Sequence, residues 1–331
     1  MAIALKLDEL YVQLNHPSRL VALDPIHPSI RLVNRNTPPR PRLMLIDEAS
    51  NRVWVISDEP RGGSRASAYD AATLASTTQE RLPFTALAGA VLDGVLYLAG
   101  PRGVFRLPTI AGRIRLSLLP GSLPRVRTLT ADRSGHRLIA TALGVPASVQ
   151  SIPVAEGRLF AVSGPLAGRV SVAVAGAQIW IAGDHGRQQP TVLRLDAATL
   201  GALNSGVVDP ASPSVVWPGD SVVWVSQSSS LSCVDAVTGA AAAQWPRIDG
   251  QVVSTGICSN TAYAIDDGKV IALQPPARMP RLSRNPRHPT HFAWERMWST
   301  MPLRPPKIAS TYPPGLKIRT VTDLTEGTSY K

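Results

Sequence analysis

Two linked stretches, Val223-Trp224-Val225-Ser226 and Leu231-Ser232-Cys233-Val234-Asp235-Ala236-Val237-Thr238-Gly239, carry the pattern on which the fold prediction rests. The first is a short apolar strand with a tryptophan inside it. The second is a strand that ends at an aspartate, followed by a turn containing Thr and Gly. An aspartate carboxylate there is suited to accept hydrogen bonds from backbone N–H groups of the turn, and Thr and Gly favour chain reversal. The stretch therefore predicts antiparallel strands joined by tight turns.

The same pattern repeats along the whole chain. Seven aromatic or branched residues, each inside a short apolar strand, follow one another at intervals of 39–44 residues. These anchor residues are Tyr11, Trp54, Tyr97, Ile139, Trp180, Trp224 and Tyr263. The aspartate turn recurs at Asp70–Leu74 and Asp196–Leu200. Because a four-stranded propeller blade has a period of about 40–45 residues, we predict an all-β fold, a seven-bladed β-propeller over residues 1–274.

Residues 223–245 resemble the blade repeat of the pyrroloquinoline-quinone-like (PQQ-like) propellers and of the related YVTN-type propellers. The resemblance covers residues 2 to 274 and implies a propeller. It does not imply one function, because such repeats occur in dehydrogenases, assembly factors and scaffolds alike. The family's quinone cofactor is not expected here. Its enzymes are exported and often carry adjacent cysteines, whereas this sequence has no adjacent cysteines and Met1–Glu9 does not read as a secretion signal.

The last blade is predicted to lack a strand. Val252–Ile257, Thr261–Ile265 and Val270–Leu273 supply three strands, and the repeat then stops. Proteins usually cover an open sheet edge. Leu316–Val321 alternates like a strand and is one candidate for the missing one, and a strand from another chain is the alternative.

Residues 275–331 are predicted to form an extended Pro- and Arg-rich C-terminal arm. Residues 275–314 hold ten of the 30 prolines, and residues 278–319 hold nine basic residues against one acid, Glu295. Proline-rich sequence is extended and lacks donors for a sheet. The arm also contains large apolar side chains, which disordered tails usually lack. We therefore expect this segment to dock on something.

The chemistry of the arm favours a protein partner. Residues 291–298 fit a short helix with Trp294, Met297 and Trp298 on one face. Aromatic residues, Met and Arg are enriched in protein interfaces. The predicted partner-binding residues are Phe292, Trp294, Arg296, Met297, Trp298, Arg304 and Tyr312. Packing on the chain's own propeller and binding of nucleic acid are the alternatives.

The sequence shows no arrangement typical of a catalytic or metal site. His288 and His291 are too few ligands for a metal, and residues 184–187 are interpreted as a polar loop. No G-x-S-x-G motif is present. Cys233 and Cys258 each lie in a predicted strand, and we expect both to be buried free thiols. We therefore expect no enzyme activity, no cofactor and no metal.

Together these features favour a non-enzymatic structural or interaction propeller of a large assembly. By fold analogy with the propellers in the tail nozzles of short-tailed phages, we favour a bacteriophage virion protein of the tail or connector. Its partners would be neighbouring protein subunits, further copies of the chain included. A membrane is not expected, because no run of about 18 apolar residues occurs.

Three alternatives to this hypothesis stay open. The first is a quinoprotein-like or hydrolase-like enzyme, which needs acids and cations converging at one mouth of the channel. The second is a nucleic-acid-binding protein that uses the basic arm, in line with the net charge of +11. The third concerns location, with the cytoplasm in place of the virion.

Overall fold

A computed structural model gives the fold of the chain. It describes residues 2–6, 9–24, 29–110, 113–120, 122, 124–142, 147–155, 160–166, 170–183, 191–203, 215–219, 222–226, 230–248, 250–254, 261–266, 269–274 and 317–322. Every regular element among these residues is a β-strand. The strands form seven four-stranded antiparallel sheets and one small hairpin. Each four-stranded sheet is one blade, so the predicted seven-bladed propeller is confirmed.

The strands of each blade follow chain order from the inner to the outer edge. Blade 1 consists of β1 (Ala2–Lys6), β2 (Glu9–Leu14), β3 (Arg19–Asp24) and β4 (Ser29–Asn34). Blade 2 consists of β5 (Pro41–Asp47), β6 (Arg52–Asp58), β7 (Ser64–Asp70) and β8 (Ser76–Leu82). Blade 3 consists of β9 (Ala88–Leu92), β10 (Val95–Gly100), β11 (Gly103–Leu107) and β14 (Ser117–Leu118), with the hairpin β12 (Thr109–Ile110) and β13 (Arg113–Ile114) inserted before β14.

The second half of the chain repeats this plan. Blade 4 consists of β15 (Val126–Asp132), β16 (Arg137–Ala142), β17 (Ala147–Pro153) and β18 (Phe160–Leu166). Blade 5 consists of β19 (Val170–Ala175), β20 (Gln178–Gly183), β21 (Thr191–Asp196) and β22 (Ala202–Leu203). Blade 6 consists of β23 (Val215–Pro218), β24 (Val222–Ser226), β25 (Ser230–Asp235) and β26 (Ala241–Pro246). Blade 7 consists of β27 (Val252–Val253), β28 (Ala262–Asp266), β29 (Lys269–Gln274) and β30 (Lys317–Thr322).

The blades close into a ring. The inner strands lie beside one another in the cyclic order β1, β5, β9, β15, β19, β23 and β27, and β27 returns to β1. The seam has an apolar core of its own, where Ile3 and Leu10 of blade 1 pack with Tyr263 and Val270 of blade 7. The first and last blades are therefore joined in the same way as any other two neighbours.

Among the described residues, the hydrophobic core is divided into seven clusters, each between two consecutive blades. All seven anchor residues lie on the second strand of their blade and face the blade that follows. None of them is more than 5% exposed. Several have an alanine directly opposite on the third strand, such as Ala22 beside Tyr11 and Ala68 beside Trp54. The small neighbour leaves room for the ring, so the repeat encodes the packing between blades.

The fourth strand of blade 7 comes from far along the same chain. Lys317–Thr322 pairs antiparallel with β29, and Lys317 lies opposite Gln274. The chain thus returns to the sheet after residues 275–316, which form a connection between the third and fourth strands of this blade. The rest of the predicted arm lies outside the described residues.

The cysteine prediction is wrong for Cys233. This residue is fully buried in the cluster between blades 6 and 7, but it is disulfide-bonded, and no described cysteine is free. The expectation came from treating each strand alone, whereas a disulfide requires two segments to approach in space. Cys258, the other cysteine of the sequence, lies outside the described residues.

We expect removal of β30 to destabilise the propeller. Deleting residues 317–331 leaves the edge of β29 unpaired, and each lost backbone hydrogen bond costs about 0.5–1.5 kcal/mol. The loss of several such bonds should lower the melting temperature by about 5–10 °C. Thermal unfolding followed by circular dichroism measures the change. The matched control is deletion of residues 323–331, which keeps β30, and equal melting temperatures for the two truncations would contradict the pairing.

Candidate functional site

The predicted partner-binding residues all fall in one part of the chain that the structure does not describe. They are Phe292, Trp294, Arg296, Met297, Trp298, Arg304 and Tyr312. The two histidines considered as metal ligands and the polar loop 184–187 also lie outside the described residues. The role of these residues therefore stays a prediction.

The ends of the connection 275–316 are nevertheless placed. Gln274 and Lys317 are paired, so the connection leaves and re-enters blade 7 at one end of its sheet. In the other blades this end carries the turns from the third to the fourth strand, including the aspartate turns. We call it the turn face, and we call the opposite end, where the inner strands begin, the entry face. The predicted docking segment therefore starts and finishes at the turn face.

The three aspartate turns share one geometry. In each turn, one carboxylate oxygen of the aspartate accepts hydrogen bonds from the backbone N–H groups two and three residues later. The same oxygen also accepts a hydrogen bond from the threonine hydroxyl. In the turn at Asp196 the three distances are 3.0, 2.7 and 2.9 Å. The threonine hydroxyl in turn accepts from a backbone N–H two residues later. The predicted structural role of these aspartates is confirmed.

The fifth position of each turn requires a left-handed backbone. Leu74 has φ +56°, Leu200 has φ +59° and Gly239 has φ +75°. Only glycine adopts this region without a steric penalty. The two leucines are buried in the cluster shared with the preceding blade, and this burial offsets the strain.

The aspartate turns also join consecutive blades. A donor from the preceding blade bonds a turn carbonyl in each case: the Tyr11 hydroxyl to Ala71 at 3.0 Å, Arg137 to Ala197 at 2.8 Å, and Arg194 to Val237 at 2.9 Å. Arg194 is 6% exposed and its guanidinium lies 4.9 Å from the centre of the Trp180 ring. These polar groups are therefore committed to holding blades together.

Hydrogen bonding lowers the pKa of each turn aspartate. For Asp70 the largest cause is the Thr73 hydroxyl, and for Asp196 it is the Thr199 backbone N–H. For Asp235, burial is the largest single influence and raises the pKa, but the hydrogen bonds from Thr238 and Val237, together with the charge of Arg194, outweigh it. All three carboxylates are ionised at neutral pH, and each accepts the hydrogen bonds of its own turn.

Two side-chain contacts also connect loops at the turn face. Arg133 lies 2.8 Å from Glu48, and His136 lies 3.0 Å from Asp93. All four side chains are largely exposed, and exposed pairs contribute about 0–1 kcal/mol. Among the described residues no group of three or more His, Cys, Asp or Glu side chains is placed to hold a metal ion.

The entry face carries the candidate site, a cleft between blades 3 and 4. Leu87, Pro101, Arg125 and Arg127 line this cleft, which has a volume of about 390 Å³. Leu87 precedes the inner strand of blade 3, and Pro101 follows the second strand of that blade. Arg125 directly precedes the inner strand of blade 4, and Arg127 is the second residue of that strand. The volume lies within the range of ligand pockets.

The backbone that carries the two arginines is irregular. Arg125 has φ +60°, and its backbone N–H donates to the Pro101 carbonyl at 3.4 Å. Arg127 is the extra residue of a β-bulge, because Val126 pairs with Ala142 and Thr128 pairs with Thr141. Bulges re-aim side chains and are common near functional sites. Both side chains are exposed, and neither has an ion-pair partner in the described part of the chain.

Sequence reasoning missed this cleft because its residues are far apart in the chain. A usable signal was present, since arginines stand 14 and 12 residues before the anchor in two blades: Arg40 and Arg42 before Trp54, and Arg125 and Arg127 before Ile139. This pair of arginines occurs in only two of the repeats, so a search for the pattern common to all blades does not detect it.

Solved structures resemble the chain in fold. The hydrazine synthase of Kuenenia stuttgartiensis superposes with a TM-score of 0.62 at 12% identity, covering 83% of this chain and 95% of that one. The computationally designed Ika8 protein gives 0.56 at 12% identity, covering 82% of each chain. BamB from Moraxella catarrhalis gives 0.53 at 15% identity, covering 82% of this chain and 84% of that one.

These likenesses define a class of fold. The chain resembles the PQQ-like and YVTN-type β-propellers, as its repeat predicted. A scan against models of protein families gives no match, and neither does a search of the curated proteins. Because an enzyme and a designed protein match to a similar degree, the fold does not indicate an activity. The described part of the chain contains no helix that is long and apolar enough to cross a membrane.

The aspartate turns should make stability depend on acid pH. Their folded pKa values lie below those of the unfolded chain, about 3.9. The stabilisation is therefore complete above that value and is lost as pH falls through the folded pKa. We expect the variant D70N/D196N/D235N, whose amide oxygens still accept the turn bonds, to lose less stability than wild type between pH 6 and pH 3.

Urea unfolding midpoints at the two pH values provide the measurement. Glu80→Gln serves as the control, because this side chain is exposed on an outer strand away from the turns. We expect this control to follow wild type. A triple variant that loses as much stability in acid as wild type would show that the turn carboxylates do not carry the effect.

Proposed function

We propose that the chain is a non-enzymatic interaction propeller, a rigid body that attaches to neighbouring proteins of a larger assembly. The observation that carries the proposal is the connection 275–316, which is fixed at both ends by the pairing of β29 with β30. A segment held at two points loses less conformational freedom when it binds than a free tail does. Its Trp, Met and Arg content suits a protein interface.

The described polar groups support a role without catalysis. The turn aspartates are bonded within their turns, and Arg137 and Arg194 are bonded to neighbouring blades. An enzyme needs acids, bases or metal ligands that converge on a substrate. The hydrazine synthase likeness keeps an enzyme as the second candidate, and that likeness extends to the fold alone.

The disulfide at Cys233 supports a location outside a reducing cytoplasm. Disulfides persist in secreted and periplasmic proteins and at virion and cell surfaces. The bacteriophage virion favoured from the sequence is compatible with this chemistry but rests on fold analogy.

We expect the connection to be needed for assembly and not for folding. Gln274 and Lys317 are directly opposed, so a two-residue Asn-Gly turn in place of residues 275–316 should join β29 to β30 as a hairpin. This variant should keep the melting temperature of the full chain within about 3 °C. In gradients of native extract it should sediment as a free protein, whereas the full 35.3-kDa chain should sediment with a large complex.

A second variant tests the aromatic anchors separately. Replacing Trp294 and Trp298 with alanine should weaken attachment by about tenfold or more, as for interface hot spots. If nucleic acid is the partner instead, nuclease or moderate salt should release the full chain from the complex. A hairpin variant that still sediments with the complex would overturn the proposal.

A further inference from the structure

We propose that the cleft between blades 3 and 4 binds a ligand through a carboxylate group, which Arg125 and Arg127 hold. The proposal concerns the entry face and does not depend on the role of the connection at the turn face.

Blade 2 contains the matching pair of arginines together with a carboxylate, Asp58, that one of them binds. Arg40 has φ +56°, and Arg42 is the extra residue of a β-bulge between Pro41 and Leu43. The Arg42 guanidinium forms two parallel hydrogen bonds to Asp58, with Nε–Oδ1 2.8 Å and Nη2–Oδ2 2.7 Å. This bidentate contact is the preferred way for arginine to bind a planar carboxylate.

Blade 4 repeats the backbone of this site without its carboxylate. Arg125 has the same left-handed backbone as Arg40, and Arg127 is bulged in the same way as Arg42. Asp58 stands four residues after its anchor Trp54, and the residue four after Ile139 is Leu143, which lies outside the described residues. The sequence thus keeps the pair of arginines and replaces the acid by a leucine.

The surroundings of the arginines in blade 4 suit a ligand. Leu87 and Pro101 supply apolar walls beside the two guanidinium groups, and no acidic residue lines the cleft among the described residues. Two neighbouring cations without an acid repel each other, and an incoming carboxylate removes that repulsion. Arginine is the residue best suited to this contact, because its fork remains charged at any physiological pH.

The carboxylate has two sources, a small organic acid or an acidic side chain of a protein partner. Isothermal titration of the full chain at pH 7 in 50 mM NaCl uses glutarate for the first and the peptide acetyl-Gly-Asp-Asp-Gly-amide for the second. We expect one site with a dissociation constant of about 1 mM or tighter for at least one of these probes. Tighter binding of the peptide would indicate a protein source, and tighter binding of glutarate would indicate a small acid.

Three variants test which side chains hold the carboxylate. We expect Arg127→Gln and Arg125→Gln each to weaken binding by about tenfold or more, because a charge-assisted bond is lost. Arg127→Lys keeps the positive charge but loses the planar group that donates two parallel hydrogen bonds. It should therefore also weaken binding, by about threefold or more. Arg61→Gln is the matched control, since Arg61 is exposed on a loop of the same face in blade 2. This control should bind like wild type.

Two results would overturn the proposal. One is the absence of heat for both probes at concentrations of about 10 mM, ten times the expected dissociation constant. The other is an equal loss of binding in Arg61→Gln and Arg127→Gln, which would show general attraction to a basic protein. The melting temperature of each variant, measured in parallel, should match wild type because these side chains are exposed.

Discussion

Packing between blades is the constraint on which the rest of this structure depends. A single four-stranded sheet of this size cannot bury both of its faces, and here the preceding blade covers one face and the following blade covers the other. The anchor on the second strand is buried at each interface, and in several blades a small residue of the third strand lies directly opposite its ring. Because the clusters follow one another around a closed ring, the seam between blades 7 and 1 must meet the same requirement as the others.

Polar interactions at the turn face give this packing its register. A donor such as Arg194 reaches the turn carbonyl of the next blade only when the two sheets are correctly aligned, whereas apolar contacts tolerate small shifts. The turn presents that carbonyl because Asp235 and Thr238 fix its backbone. The aspartate turn thus has two linked tasks, reversal of its own chain and alignment of the neighbouring blade.

The sequence predicted the features that recur, and it left open or missed those that occur once. The period of the anchors predicted the number of blades, and the spacing of the aspartates predicted the turns. The sequence offered Leu316–Val321 as only one candidate for the closing strand, and it did not reveal the disulfide of Cys233. Both features depend on contact between distant segments of the chain. The entry-face cleft was missed for a related reason, since the bulge at Arg127 has no signature in hydrophobic periodicity.

Departures from the repeat are where function is best sought in such a protein. The packing requirement fixes the strands and turns of every blade, so a position that differs between equivalent blades is free of that requirement. Blade 7 replaces a short turn by residues 275–316, and blade 4 keeps the paired arginines of blade 2 without the partner that Asp58 provides. A pair of guanidinium groups with no acidic partner among the described residues adds no stability to the ring, because like charges repel. Its presence therefore points to a ligand that supplies the missing charge from outside.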